Sequence, residues 1–188
     1  MRSGVVGPQR YRRDMADELS WSTVASPVGE LTVLATGTGV RRVVFGGPRA
    51  VLDEFPGARP ETGPAAEAAR QLREYFAQRR REFDVPVDWT GLEGLRLHVL
   101  RTLRELVPFG ETVSYRRLAE LSGRPEAARA VGAIMGGNPV PLLVPCHRVL
   151  ASGGGLGGFG PGLAAKRRLL VLEGSLEPTL LELDLLGP

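Results

Sequence analysis

A single cysteine, Cys146, in 188 residues sets the first limit on this fold. One thiol makes neither an internal disulfide nor a Cys-rich zinc site. The chain must therefore be held by a hydrophobic core. Its length suffices for one or two small domains with a real core. Hydrophobic residues make up 43% and charged residues 24%, an ordinary globular balance. No apolar stretch approaches membrane-spanning length, and the N-terminus lacks the apolar core of a signal peptide. A soluble, cytoplasmic protein without metal or cofactor is expected.

The cysteine sits in Pro145-Cys146-His147-Arg148-Val149, next to one of only two histidines. A thiol attacks well only as thiolate, and an adjacent imidazole or positive field makes thiolate available near neutral pH. Pro145 removes a backbone donor and fixes the approach of the chain. Gly153-Gly154-Gly155 and Gly157-Gly158 follow, a backbone able to come close to a ligand. A Cys-His pair alone is equally a buried cysteine acting as a small hydrophobe. The surroundings decide.

Charge is unevenly spread. Residues 95–173 carry 11 basic and 5 acidic side chains, whereas residues 1–94 carry 13 of each. The basic segment is the one with Cys146, and it favours an anionic partner, nucleic acid first. All but one of the 24 basic residues are arginine, Lys166 being the exception. That bias is a property of GC-rich genomes and is assigned no function.

Residues 1–19 read as a loosely held extension. Trp21 to Ala25, Glu30 to Thr36 and Arg41 to Phe45 read as short strands of an antiparallel sheet, separated by Pro27-Val28-Gly29 and Gly37-Thr38-Gly39. Pro64 to Arg80 has helical spacing, and Glu82 to Val87 reads as a further strand. Nothing in this half looks catalytic, and its acids and arginines read as solvated faces. The expected domains are 20–90 and 91–176, with a tail over 177–188.

In the second half, Leu95, Val99, Leu103 and Leu106 mark an amphipathic helix over 95–107, with His98 at its surface. Pro108-Phe109-Gly110 stops it. Thr112 or Ser114 caps a helix from Tyr115 to about Leu121. Ser122-Gly123 ends that, and Pro125 opens a third helix to Met135. Two short helices on a tight glycine turn form a helix-turn-helix. The second is mostly small residues with one long cation, Arg129. That pattern fits insertion into a narrow surface, or plain alanine packing. A last helix spans Leu163 to Glu173 and ends at Gly174.

Phe109-Gly-Glu-Thr-Val-Ser-Tyr115, Ala127-Ala-Arg-Ala-Val-Gly132, Asn138-Pro-Val-Pro141, Pro145-Cys-His-Arg-Val149 and the closing helix form one pattern. It strongly resembles the O6-alkylguanine-DNA alkyltransferases, also called methylated-DNA–protein-cysteine methyltransferases. The N-terminal sheet resembles that family's ribonuclease H-like domain. The resemblance implies an α+β chain: an antiparallel sheet domain, then a mainly helical domain with a helix-turn-helix. It also implies DNA repair by irreversible alkyl transfer from O6-alkylguanine, and from O4-alkylthymine, to Cys146. His147 would act as base through a water, oriented by Glu173, with Asn138 supporting the turn. Arg129 would fill the space of the flipped base. Tyr115 would aid flipping, and Ala128 and Gly132 would approach the DNA. Met135, Pro141, Val149, Phe159 and Gly160 would shape the pocket. The implied partner is double-stranded DNA carrying the lesion, bound through its minor groove by a protein monomeric in solution, with cooperative binding along the DNA left open.

Three departures stand out. Phe159 occupies a place where the family commonly has tyrosine. Leu95-Arg96 replaces a frequent Phe-Gln, and the Cys-rich zinc domain of adaptive-response members is missing. The alternatives are a non-catalytic lesion binder, a helix-turn-helix regulator and a Cys-His hydrolase. The first lacks the acceptor cysteine, the second needs polar base readers on helix 125–135, and the third turns over repeatedly.

Overall fold

A computed structural model describes residues 19–60 and 62–179. Most of the expected N-terminal extension and C-terminal tail falls outside them. The chain forms two compact units, one of residues up to 74 plus 84–88, the other of 75–83 and 89 onward. Among the described residues, no helix is long and apolar enough to cross a membrane.

In the first unit, β1 (Ser20–Val24), β2 (Leu31–Thr36) and β3 (Gly39–Phe45) form the expected antiparallel meander. Every residue of β2 is buried, so both faces of the sheet are covered. Leu34 packs with Leu19, Val51 and Ala58, against which Trp21 and Phe55 also lie. Val51 comes from α1 (Arg49–Leu52), a short helix unforeseen in the sequence. So is β4 (Arg59–Pro60), which pairs parallel to β1 and makes the sheet mixed. Two residues, one of them proline, leave no periodicity to read.

Two expectations are corrected. Helix α2 runs Gly63–Phe76 rather than to Arg80, because Gln78 turns into the left-handed region at φ 55 and its N–H closes on Tyr75 O at 3.0 Å. The strand expected over Glu82 to Val87 shrinks to one bridge between Val87 and Val40. Pro86 has no donor to extend it, so its carbonyl accepts from Val40 N–H at 2.9 Å and Asp88 N–H returns to Val40 O. Asp88 is buried, not solvated: it accepts from Thr36 Oγ1 at 3.0 Å and Arg41 Nη1 at 3.1 Å.

The second unit begins with α3 (Gly94–Leu106), which buries Val99, Leu100 and Leu103 and leaves Leu106 exposed. His98 is exposed as expected. A two-residue strand, β5 (Val113–Ser114), leads into α4 (Tyr115–Leu121), capped by Ser114 Oγ accepting from Arg117 N–H at 3.0 Å. A 3₁₀ turn over Pro125–Ala127 precedes α5 (Ala128–Gly136), so the second helix of the helix-turn-helix starts three residues later than expected. Arg96 donates to Gly137 O just past α5, giving an end carbonyl a cationic partner. The Cys-His motif is another 3₁₀ turn, Cys146–Arg148, and runs into β6 (Val149–Leu150), which pairs parallel to β5. The closing helix is α6 (Leu163–Leu172).

Gly39 tests the close packing of the first unit. A Cβ there would stand 2.5 Å from Pro86 O, at a φ of 149°. Gly29, also at positive φ, has nothing within 4 Å. Gly39→Ala is therefore predicted to combine left-handed strain with a backbone clash and to destabilise by about 2 kcal/mol or more. Gly29→Ala meets only the strain and costs less. Urea denaturation of both variants checks the order.

Candidate active site

The turn that carries Cys146 is built before the cysteine is reached. Asn138 brackets it: its amide donates to Val144 O at 2.8 Å, and its Oδ1 accepts from Val140 N–H at 3.1 Å. Between them Leu142 lies buried at φ 73°, an uncommon conformation for a side chain of its size. Cys146 N–H closes on Val144 O at 2.8 Å and Arg148 N–H on Pro145 O at 2.9 Å. The chain is thus folded back twice in ten residues, and Cys146, His147 and Arg148 are all buried.

The His147 side chain is wholly buried. Its Nε2 lies 2.9 Å from Glu173 Oε1, and its Nδ1 is buried without a partner. Glu173, at the C-cap of α6, takes a two-pronged ion pair from Arg148: Nε to Oε2 at 2.8 Å and Nη2 to Oε1 at 2.9 Å. Arg148 also donates from Nη1 to Val107 O at 2.7 Å. Tyr75 gives Glu173 Oε1 a further hydrogen bond at 2.6 Å.

Burial alone would raise the Glu173 pKa, but the donors His147 and Arg148 outweigh it and bring it down to about 2. Burial pushes His147 below its ordinary value, against the pull of Glu173. The pair is therefore a carboxylate and a neutral imidazole. Since Glu173 only accepts, the imidazole proton sits on Nε2, and the bare nitrogen is Nδ1. Burial pushes the Cys146 thiol up, while a hydrogen bond from the Asn138 side chain and the charge of Lys166 pull it back.

Lys166, the sole lysine, is completely buried. Its Nζ donates to Val149 O at 2.6 Å and to Gly158 O at 3.3 Å, tying β6 to the glycine loop. Burial lowers its pKa to about 8, and Cys146 acts against that shift. On the same loop, Gly158 hydrogen-bonds the Tyr115 hydroxyl. Gly157 lies so near that a Cβ there would be 2.8 Å from that oxygen.

The structure thus brings together Cys146, His147, Glu173 and Asn138, with Tyr115 and Val149 alongside. Arg129 is exposed on α5, while Ala128 and Gly132 are half-buried. Met135 is a buried residue of α5, and Pro141 lies buried within the bracketed turn. Phe159 is half-buried and Gly160 exposed on the loop before α6. A cavity of about 270 Å³ lies behind the turn, lined by Arg81, Phe83, Arg104, Leu142 and Arg148. Neither Cys146 nor Tyr115 lines it, so it is not where a base would meet the thiol. Sequence reasoning missed Lys166 and Tyr75. The first was visible only as the lone lysine, and the second carries no local signal. Among the described residues no group of three or more His, Cys, Asp and Glu side chains could hold a metal ion.

Comparison with known proteins fits this arrangement. Residues 95–175 match the family described as 6-O-methylguanine DNA methyltransferase, DNA binding domain, and residues 19–89 match its ribonuclease-like domain. The Mycobacterium tuberculosis methylated-DNA--protein-cysteine methyltransferase is 38% identical over 164 residues, covering 85% of this chain and 95% of that protein. The protein of the same name from Homo sapiens is 39% identical over 168 residues, covering 84% and 81%. The crystal structure of Mycobacterium tuberculosis OGT in complex with DNA superposes with a TM-score of 0.71 at 38% identity, covering 88% of this chain and 99% of that one.

Acid should unfold this site in two stages. Glu173 titrates near 2 when folded, against about 4.3 unfolded, so its contribution is complete above about pH 4.3 and is lost as pH falls toward 2. His147 is buried neutral, so protonation opposes folding as pH drops below about 6.5. The melting temperature is predicted to fall steadily from about pH 7 to pH 3. Glu173→Gln should remove the lower stage and cost ~3–5 kcal/mol at neutral pH, because Arg148 is left buried without a counter-charge. A flat melting profile would contradict the assignment.

Proposed function

The chain belongs to the 6-O-methylguanine DNA methyltransferase family, and on that footing we propose that it repairs DNA by moving the alkyl group of an O6-alkylguanine onto Cys146, once per molecule. O4-alkylthymine is the second lesion class of this reading. The carrying observation is the buried Cys146 thiol, followed in the chain by a buried histidine whose Nε2 is engaged by Glu173 and whose Nδ1 has no partner.

The chemistry follows from those atoms. His147 Nδ1 takes the thiol proton through a water, and Asn138 and the Lys166 charge stabilise the thiolate. The thiolate sulfur bonds to the alkyl carbon as the carbon–O6 bond breaks, and the electron pair goes to O6. The proton held on His147 neutralises the departing guanine, so the reaction ends with no net proton gained or lost. The Tyr115 hydroxyl, hydrogen-bonded to the glycine loop at Gly158, is the donor we assign to the extruded base. The thioether that remains has no second thiol to resolve it, and the chain holds no other cysteine. Repair is therefore stoichiometric. The acceptor thiol is present, which favours this reading over a non-catalytic lesion binder.

A base inside a duplex is out of reach, so the nucleotide must be extruded. The small residues of α5 suit a narrow minor groove, with exposed Arg129 taking the place of the extruded base. The protein acts as a monomer in the cytoplasm, beside the DNA.

Intact-protein mass spectrometry after mixing with duplex DNA containing O6-methylguanine tests the proposal. One methyl group should appear, on the peptide carrying Cys146, and the amount transferred should stop at one per protein. Repeated turnover, or no transfer by protein that binds the DNA, would sink it.

A further inference from the structure

Tyr75 enters the site from the end of α2, 98 residues before Glu173. It lies in the segment that matches the ribonuclease-like domain, not in the segment that supplies the rest of the site. Its ring is fully buried, edge-on to Phe76 at 5.1 Å and to Phe109 at 6.0 Å, and tilted against Phe83 at 5.4 Å. Phenylalanine would serve that packing as well. A buried hydroxyl is costly without a partner, and here the partner is the carboxylate oxygen that orients His147.

We propose that Tyr75 is a positioning residue for alkyl transfer: its hydroxyl holds Glu173 Oε1 and shares its charge, so that His147 stays neutral with Nδ1 free to take the Cys146 proton. This rests on His147 being the base of the proposed reaction.

The groups that bear on His147 are Glu173, which favours its protonation, and Arg148 and Lys166, which oppose it. Cys146 adjoins it in the chain. Tyr75 acts through Glu173. Oε1 accepts from three donors: Tyr75 Oη, His147 Nε2 and Arg148 Nη2. Burial and the Glu173 charge push the Tyr75 phenol well above its ordinary pKa, so it remains a donor throughout the working range. Removing that donor leaves more of the carboxylate charge for His147, and its pKa rises. An imidazolium cannot accept the thiol proton. The loss must therefore fall on the acid side of the pH profile.

The test is the single-turnover rate of full-length Tyr75→Phe with free O6-benzylguanine, which needs neither DNA binding nor base extrusion, across about pH 5.5 to 9. The acid limb should move upward, with the rate ~3–10-fold lower near pH 6 and within about twofold of wild type near pH 9. Phe83→Leu loosens the same ring cluster without touching the hydroxyl, and its acid limb should stay in place. A Tyr75→Phe profile that superimposes on wild type, or a loss equal at every pH, overturns the proposal. An equal shift in Phe83→Leu assigns the effect to packing and overturns it too. Wild-type protein that fails to react at any pH would instead sink the underlying alkyl-transfer reading.

Discussion

Glu173 holds a full negative charge with its side chain wholly out of solvent, where an isolated carboxylate would cost several kcal/mol. It is tolerated because His147, Arg148 and Tyr75 all aim donors at it. The constraint works in both directions. Each donor is fixed in place by the charge, and the three come from two stretches of chain: two neighbouring residues of the Cys146 turn and one from the end of α2. Glu173 itself stands at the end of α6. One buried carboxylate therefore sets the orientation of the Cys146 turn, the tautomer of its histidine and the seating of the closing helix.

The turn is also joined to the helices proposed to meet DNA. Asn138, two residues past α5, holds Val144 and touches the Cys146 thiol. Ser114 caps α4 while pairing, through β5, with Leu150 just beyond the motif. In the proposed reaction an alkyl group would enter a packed site on Cys146 and replace the thiol that Asn138 and Lys166 act on. The resulting strain acts on the same hydrogen bonds that seat α4 and α5.

How much of this was legible in the sequence depended on the distance over which the information lies. Pro145-Cys-His-Arg-Val149 placed the proposed nucleophile and base together because they are adjacent, and Ser114 declared its cap because a cap is local. The three strands of the meander were readable from β-rich runs between turn residues. The strand expected at Glu82 to Val87 failed because Pro86 cannot sustain a ladder, and α2 stopped short at the left-handed Gln78. Arg59–Pro60 pairs through two residues and offers no pattern. Tyr75 looked like one more core residue of an amphipathic helix. Its hydroxyl acquires meaning only from Glu173, far along the chain. Lys166 was conspicuous by being alone, but only burial against Val149 and Gly158 gives it a role.

The central claim is that burial keeps His147 neutral, while Glu173 holds its proton on Nε2 and leaves Nδ1 bare. Nitrogen-15 NMR of the histidine ring in the unreacted protein near pH 7 measures this directly. The account predicts that His147 shows a protonated Nε2 and a pyridine-like Nδ1, and that this pattern persists below the ordinary histidine pKa of about 6.5. A proton on Nδ1, or an imidazolium at neutral pH, would contradict it.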